Sequence, residues 1–206
     1  MKKAVKYIVW LVIIAFVVYN SVYFRKLSEV KAAGKSFDAA SYAHNYLNKV
    51  LPSAMTKATA VDNLFMQLHS APAQAFQQHS HALAIGSTRF FLVKGTGQIN
   101  NIDENSIGIV TDTGKLALKI ATEYVYGNAV RDASGLVDIN AFTNTADLNN
   151  VSAEINKSIR QQVIPSFKAQ AKKGDHVQFT GALELNQAHL NLDDAEIIPV
   201  TIKRIP

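Results

Sequence analysis

The chain has 206 residues, 48% of them hydrophobic, and a formal net charge of +5. It contains no cysteine, which excludes a disulfide scaffold, a thiolate metal site, a thiol nucleophile and a lipid-modified cysteine among these residues. The positive charge does not point to nucleic acid either, because it is not in the body: residues 1–35 hold seven Lys/Arg and one Glu, against fourteen Lys/Arg and fifteen Asp/Glu after them.

The first element is "YIVWLVIIAFVVYNSVYF", residues 7–24, which carries no charge. Eighteen helical residues rise roughly 27 Å, close to the thickness of a bilayer core. Aromatic residues sit towards both ends, at Tyr7, Trp10, Tyr19 and Tyr23, where rings favour the membrane interface. A cleaved signal peptide would have a shorter apolar stretch and an A-x-A site, and a core helix would have a polar stripe. The reading is an uncleaved single-pass membrane anchor, with residues 1–35 forming a short tip, the anchor and a charged stalk. Flanking lysines at both ends leave its orientation open.

Residues 36–206 form the body. Its first part, 36–86, reads as a helical neck: "FDAASYAHNYLNKVLPSAM" has Phe37, Ala40, Ala43, Tyr46, Leu47, Val50 and Met55 near helical spacing, with Pro52 as a break. Two shorter amphipathic segments follow. From residue 87 the period changes to two. "TRFFLVKGTGQINNID" is strand-like, and "SIGIVTDTGKLALKIATEYVY" reads as two strands around a D-T-G turn.

The next stretch, residues 126–150, is the most polar and turn-prone in the chain. After it, residues 147–173 read as one long helix with Leu148, Val151, Ile155, Ile159 and Val163 as its apolar stripe, bent at Pro165 and closed by Gly174. "DHVQFTGALELN" and "EIIPVTIKRI" are the last strands. The expected fold is α+β, mainly β: an anchor, a helical neck, and a small closed or nearly closed barrel interrupted by one long helix.

Several segments then become familiar in order: "FFLVKGTGQINNID", "GNAVRDA", "INAFTNTADLNNVSAEIN", "HVQFTGALEL" and "IIPVTIK". They resemble the domain of unknown function family 2291, periplasmic lipoproteins often encoded beside sugar ABC transporters. The family's G-T-A-x-R-D matches Gly127, Ala129, Arg131 and Asp132, with Asn128 in place of Thr. Its F-T-N-Q-x-E matches Phe142, Thr143 and Asn144, with Thr145 for Gln and Asp147 for Glu. The resemblance implies an OB-like barrel outside the inner membrane, near a sugar transporter or its solute-binding component. It implies no catalytic residue and no cofactor. The family's lipid-bearing cysteine is missing here, so the resemblance makes residues 7–24 the substitute tether and turns the body to the periplasm.

The candidate site residues are Asn128, Arg131, Asp132, Phe142 and Asn144. A structural corner, a ligand- or partner-binding loop and a catalytic loop would all draw on such residues. Arg131 and Asp132 are adjacent, and each is expected to bond elsewhere in the loop. Asp132 with Asp138 is the pair a glycan hydrolase or transferase would need. A purely structural envelope protein is the remaining alternative. His69, His79 and His81 lack a nearby carboxylate, which argues against a metal site. Gly95-Thr96-Gly97 lacks the rest of a dinucleotide fingerprint and suits a barrel corner.

Overall fold

The computed structural model describes residues 2–21, 37–193 and 195–206. The chain divides into two units, Met1–Phe37 and Asp38–Pro206. In the first, helix α1 spans Lys2–Ser21 and exposes Tyr7, Ile8, Trp10, Leu11 and Phe16 by more than half. The expected anchor runs past α1 into residues 22–24, which lie outside the described residues. Among the described residues no helix is long and apolar enough to cross a membrane. The fold therefore does not carry the transmembrane reading.

The second unit is built on five strands: β3 (Thr88–Ile102), β4 (Ser106–Thr111), β5 (Ala117–Ala121), β6 (His176–Asn186) and β7 (Glu196–Arg204). They run in the order β3-β4-β5-β7-β6, and β6 pairs back onto β3 from Thr88↔Asn186 to Gln98↔His176. The sheet thus closes on itself. All pairings in this ring are antiparallel except β5 with β7, which is parallel and limited to Lys119↔Glu196 and Ile120↔Ile197. Two short strands, β1 (Thr59–Ala60) and β2 (Ser80–His81), add to β3. The D-T-G turn forms as expected, with Gly114 at φ +69° joining β4 to β5.

β3 serves two partners because it is long, pairing with β6 from Thr88 to Gln98 and with β4 from Gly97 to Ile102, and its glycines let both come close. A Cβ on Gly97 would collide with the Val110 carbonyl, and one on Gly95 would lie 2.8 Å from the Phe179 ring. Only a residue without a side chain lets the strand pass this close to β4 and β6.

The barrel interior holds Phe91, Val93, Ile99, Ile107, Ile109 and Phe179, all at most 1% exposed. Helices α4 (Val61–Ser70) and α5 (Pro72–His79) contribute Val61, Leu64, Phe65, Leu68 and Phe76 to the same cluster. Phe76 meets Phe91 edge to face at 5.2 Å. Asp62 ties the start of α4 to the β4–β5 connection, accepting from the Thr111 and Thr113 hydroxyls at 2.7 and 2.6 Å. The second half of the segment expected as a neck, residues 61–79, is thus part of the barrel's own core. Each large side chain buried here contributes about 1.5–3 kcal/mol.

A second layer lies outside the barrel wall. β3 buries four residues in succession, Phe90 to Val93, because its outer face is covered as well. The cover comes from α2 (Ala39–Asn45), α3 (Leu51–Met55), α6 (Ala129–Asp132) and α7 (Thr145–Ser158) with α8 (Ile164–Lys168). α2 packs on α7, while α6 packs on β3, β6 and β7. The long helix is not continuous. A π-helical turn, Ile159–Val163, separates α7 from α8, and another, Tyr46–Val50, separates α2 from α3. Each directly precedes an x-Pro pair, Leu51-Pro52 and Ile164-Pro165. Proline has no N–H and its ring clashes with the carbonyl four residues back, so a wider turn relieves the contact.

Candidate functional site

Residues 126–150 fold into a corner that carries the chain from β5 to α7. Gly127 turns at φ +77°, α6 makes one helical turn, and a 3-10 turn at Ile139–Ala141 follows. Asn144 then caps α7: its side chain accepts from the Asp147 N–H at 2.9 Å, and the Asp147 carboxylate accepts from Asn144 Nδ2 at 2.8 Å and Thr143 Oγ1 at 3.2 Å. The cap satisfies one of the backbone amides that a helix start leaves open, and the returning carboxylate bonds hold the capping side chain in place.

Arg131 and Asp132 are both buried, at 3% and 2% exposure. Contrary to expectation they pair with each other. Arg131 Nε donates to Asp132 Oδ1 at 2.6 Å and Nη2 to Oδ2 at 3.1 Å, a two-pronged bond between sequence neighbours. Nη1 reaches α7, donating to the Leu148 carbonyl at 3.2 Å and the Ser152 hydroxyl at 3.0 Å. Ser152 in turn donates to Asn128 Oδ1 at 3.0 Å. One turn further on, Asn156 Nδ2 donates to the Gly127 carbonyl at 2.9 Å. One turn beyond that, Arg160 donates to the Val125 carbonyl and lies 5.1 Å from the Tyr126 ring centroid, a cation–π distance.

From the opposite side comes Tyr46, at the start of the first π-turn and 1% exposed. Its hydroxyl meets the Val130 and Arg131 carbonyls at 3.0 and 3.1 Å and Ser134 Oγ at 2.8 Å. Burial, ahead of every other influence, pushes its ionisation up to about 12. Sequence reasoning passed over Tyr46, Ser152, Asn156 and Arg160. The last three are readable as a polar row at four-residue intervals beside the apolar stripe, whereas Tyr46 counts as one more member of an apolar stripe and carries no signal of its own.

Four of the five candidates, Asn128, Arg131, Phe142 and Asn144, border one open cleft of about 400 Å³. Leu83, Ala84, Ile139 and Leu148 supply apolar wall, and Thr143, Thr145 and Asn149 add polar groups. Phe142 leans edge-on against Tyr42 at 5.2 Å. The fifth candidate, Asp132, lies behind the cleft and holds Arg131 in place. The acid/base pairing of Asp132 with Asp138 does not form: Asp132 is spent on Arg131, and Asp138 caps the 3-10 turn through Asn140 N and Nδ2, both at 2.9 Å. Neither carboxylate borders the cleft.

His79 and His81 border a different cavity of about 240 Å³, and among the described residues no cluster of three metal-ligating side chains occurs. The His81 ring packs over Gly135, whose φ of +67° and lack of a side chain make room for it.

A five-stranded ring in the order β3-β4-β5-β7-β6, with one parallel pair and a helix between its third and fourth strands, defines an OB-like barrel. An OB-fold protein of Thermotoga maritima superimposes with a TM-score of 0.73 at 23% identity, covering 83% of this chain and 100% of that one. No curated protein matches the sequence. Residues 12–203 match the family described as predicted periplasmic lipoprotein, domain of unknown function 2291, and the chain belongs to that family. The two segments that carry the resemblance around residues 127–147 coincide with the corner, the Arg-Asp pair at its centre and the Asn144–Asp147 cap at its exit.

Proposed function

We propose that the protein is a periplasmic accessory protein, tethered to the outer face of the inner membrane, that binds a small neutral polar ligand of carbohydrate type. The observation that carries this reading is the cleft at Arg131. Among its described lining residues, Arg131 alone is ionisable, and its guanidinium is already committed to Asp132, Leu148 and Ser152. The remaining polar lining is neutral amide and hydroxyl. The side chains of Asn149 and Thr145, with Nδ2 of Asn128, have no hydrogen-bond partner among the described residues. Donors and acceptors held on a rigid base beside an aromatic edge suit a polyhydroxylated ligand. With no carboxylate among the described lining residues, glycoside hydrolysis there lacks its acid and base.

Association with a sugar ABC transport system is part of the proposal and rests on the family resemblance. The tether rests on the uncharged run 7–24 and on the periplasmic lipoprotein family, since no residue of this sequence can accept a thioether-linked lipid. Thermal shift of the full chain in detergent against a panel of mono- and oligosaccharides tests the ligand. A binder at a hundred times its Kd should add about 2.7 kcal/mol of stability. Asn149→Ala should abolish that gain while leaving the unliganded melting temperature in place. A panel in which no sugar shifts the melting, or a shift that survives Asn149→Ala, refutes the cleft as a sugar site. Protease digestion of the body in intact spheroplasts tests the tether, and complete protection would rule it out.

A further inference from the structure

β7 has a strand on both sides only at its beginning. It pairs with β5 through Glu196 and Ile197 alone, so from Ile198 to Arg204 one edge carries no strand among the described residues. Opposite that edge runs the α7–α8 helix, and between them lies a groove of about 460 Å³. The helix and the turn that ends it present Gln162, Ser166 and Gln170 to it, three polar residues at four-residue spacing. The amides of Gln162 and Gln170 have no hydrogen-bond partner among the described residues. At one end the groove reaches Lys203, also without a partner, and Arg204, which Asp175 holds at 3.0 Å. At the other end it shares Gln162, Val163, Val200 and Thr201 with an apolar cavity of about 260 Å³ that includes Leu47, Met55 and Ile159.

We propose that this groove docks an extended peptide segment that carries an apolar residue and, about four positions away, an acidic one. An unpaired strand edge offers alternating N–H and C=O groups, which an added strand satisfies along its whole length. The facing glutamines supply amide donors and acceptors for the peptide's second edge. A hydrocarbon chain could fill the same volume but would leave both sets of polar groups without partners, so a lipid tail is the poorer occupant. The span from Val200 to Arg204 is about 13 Å in extended geometry, which sets the separation between the apolar pocket and the cationic end. Pro199 and Lys203 on the edge are the devices that keep such a strand from pairing indiscriminately. The groove shares no lining residue with the cleft at Arg131, so the two proposals stand or fall separately.

The test uses the full chain in detergent and a fluorescein-labelled, capped pentapeptide of leucine, threonine, valine, threonine and glutamate. Anisotropy should report saturable binding with a Kd below about 1 mM. Lys203→Glu, an exposed substitution, should weaken it about tenfold, and a probe ending in lysine should recover the lost affinity on that variant. Gln162→Ala with Gln170→Ala should weaken both probes alike. Absence of saturable binding, or equal affinity of wild type and Lys203→Glu for the acidic probe, overturns the proposal. Sedimentation that finds a dimer dissolved by Lys203→Glu, with no probe bound, would assign the groove to a second copy instead.

Discussion

Replacing Arg131 by alanine removes the centre of the corner and leaves its partners in place. Asp132, 2% exposed, would keep a carboxylate with both oxygens facing a void, and the Leu148 carbonyl and Ser152 hydroxyl would lose their donor. Breaking a buried ion pair by removing one member costs about 3–5 kcal/mol, and at roughly 2–4 °C per kcal/mol the melting temperature should fall by about 6–20 °C. Arg131→Lys should recover only part of this, because an ammonium cannot span two carboxylate oxygens and also reach α7. The double variant Arg131→Met, Asp132→Leu should be more stable than Arg131→Ala, since it removes the stranded charge along with its partner. Circular dichroism melts of the three variants decide the matter. A fall below about 2 °C for Arg131→Ala would mean that the corner tolerates the loss and that Arg131 serves a ligand instead.

Two further outcomes follow from the same geometry. Burial pushes the Tyr46 hydroxyl up to about 12 from the ordinary tyrosine value of 10.0, so the folded state holds that proton more tightly. Its contribution is complete below about pH 10 and is lost as pH rises towards 12, so urea midpoints should drop across that window and drop less in Tyr46→Phe. Gly97→Ala should cost about 1–3 kcal/mol in urea unfolding, because its Cβ meets the Val110 carbonyl in a strand that cannot move away without opening the barrel. An unchanged midpoint would show that β3 and β4 are not in that register.

The barrel was legible because its strands obey simple rules. Leu118 and Ile120 point inward with Lys119 outward, and the D-T-G turn fixes their pairing with Ile109 and Ile107. Closure was less visible, since it depends on β3 being long enough to serve both β4 and β6. The Arg131–Asp132 pair departs from expectation for a physical reason. Neighbouring side chains diverge in regular structure, but within the single turn of α6 a long Arg can fold back over a short Asp when both are buried. The cleft could be guessed by residue but not assembled. Asn128 and Asn144 meet at its rim only because Ser152 and the α7 cap place them there. The periodicity of residues 61–79 was read correctly as helical, yet nothing local could say that these helices insert into the barrel's core.

The π-turns could have been read from spacing, and this yields the sharpest check on the helical layer. Along α7 and into the π-turn the buried apolar residues are Leu148, Val151, Ile155 and Ile159, steps of three and four that keep one face of an α-helix inward. The next buried residue is Ile164, a step of five, and Phe167 follows. In the partner layer Ala43 and Tyr46 are followed by Leu51, again five residues on. A regular helix would instead turn Val163 inward, as the expected stripe had it, and rotate Ile164 away. The extra residue of each π-turn resets the face, and the following proline makes the wider turn the cheaper conformation. Ile164 is 5% exposed, while Val163 is only half-buried at the edge of the open groove. Ile164→Ala should therefore cost about 2–5 kcal/mol, the range for a core isoleucine, and Val163→Ala less than about 1.5 kcal/mol. Equal losses, or a larger loss at Val163, would mean that the helix runs through residue 163 without a π-turn, and the face that α8 presents to β7 would have to be redrawn.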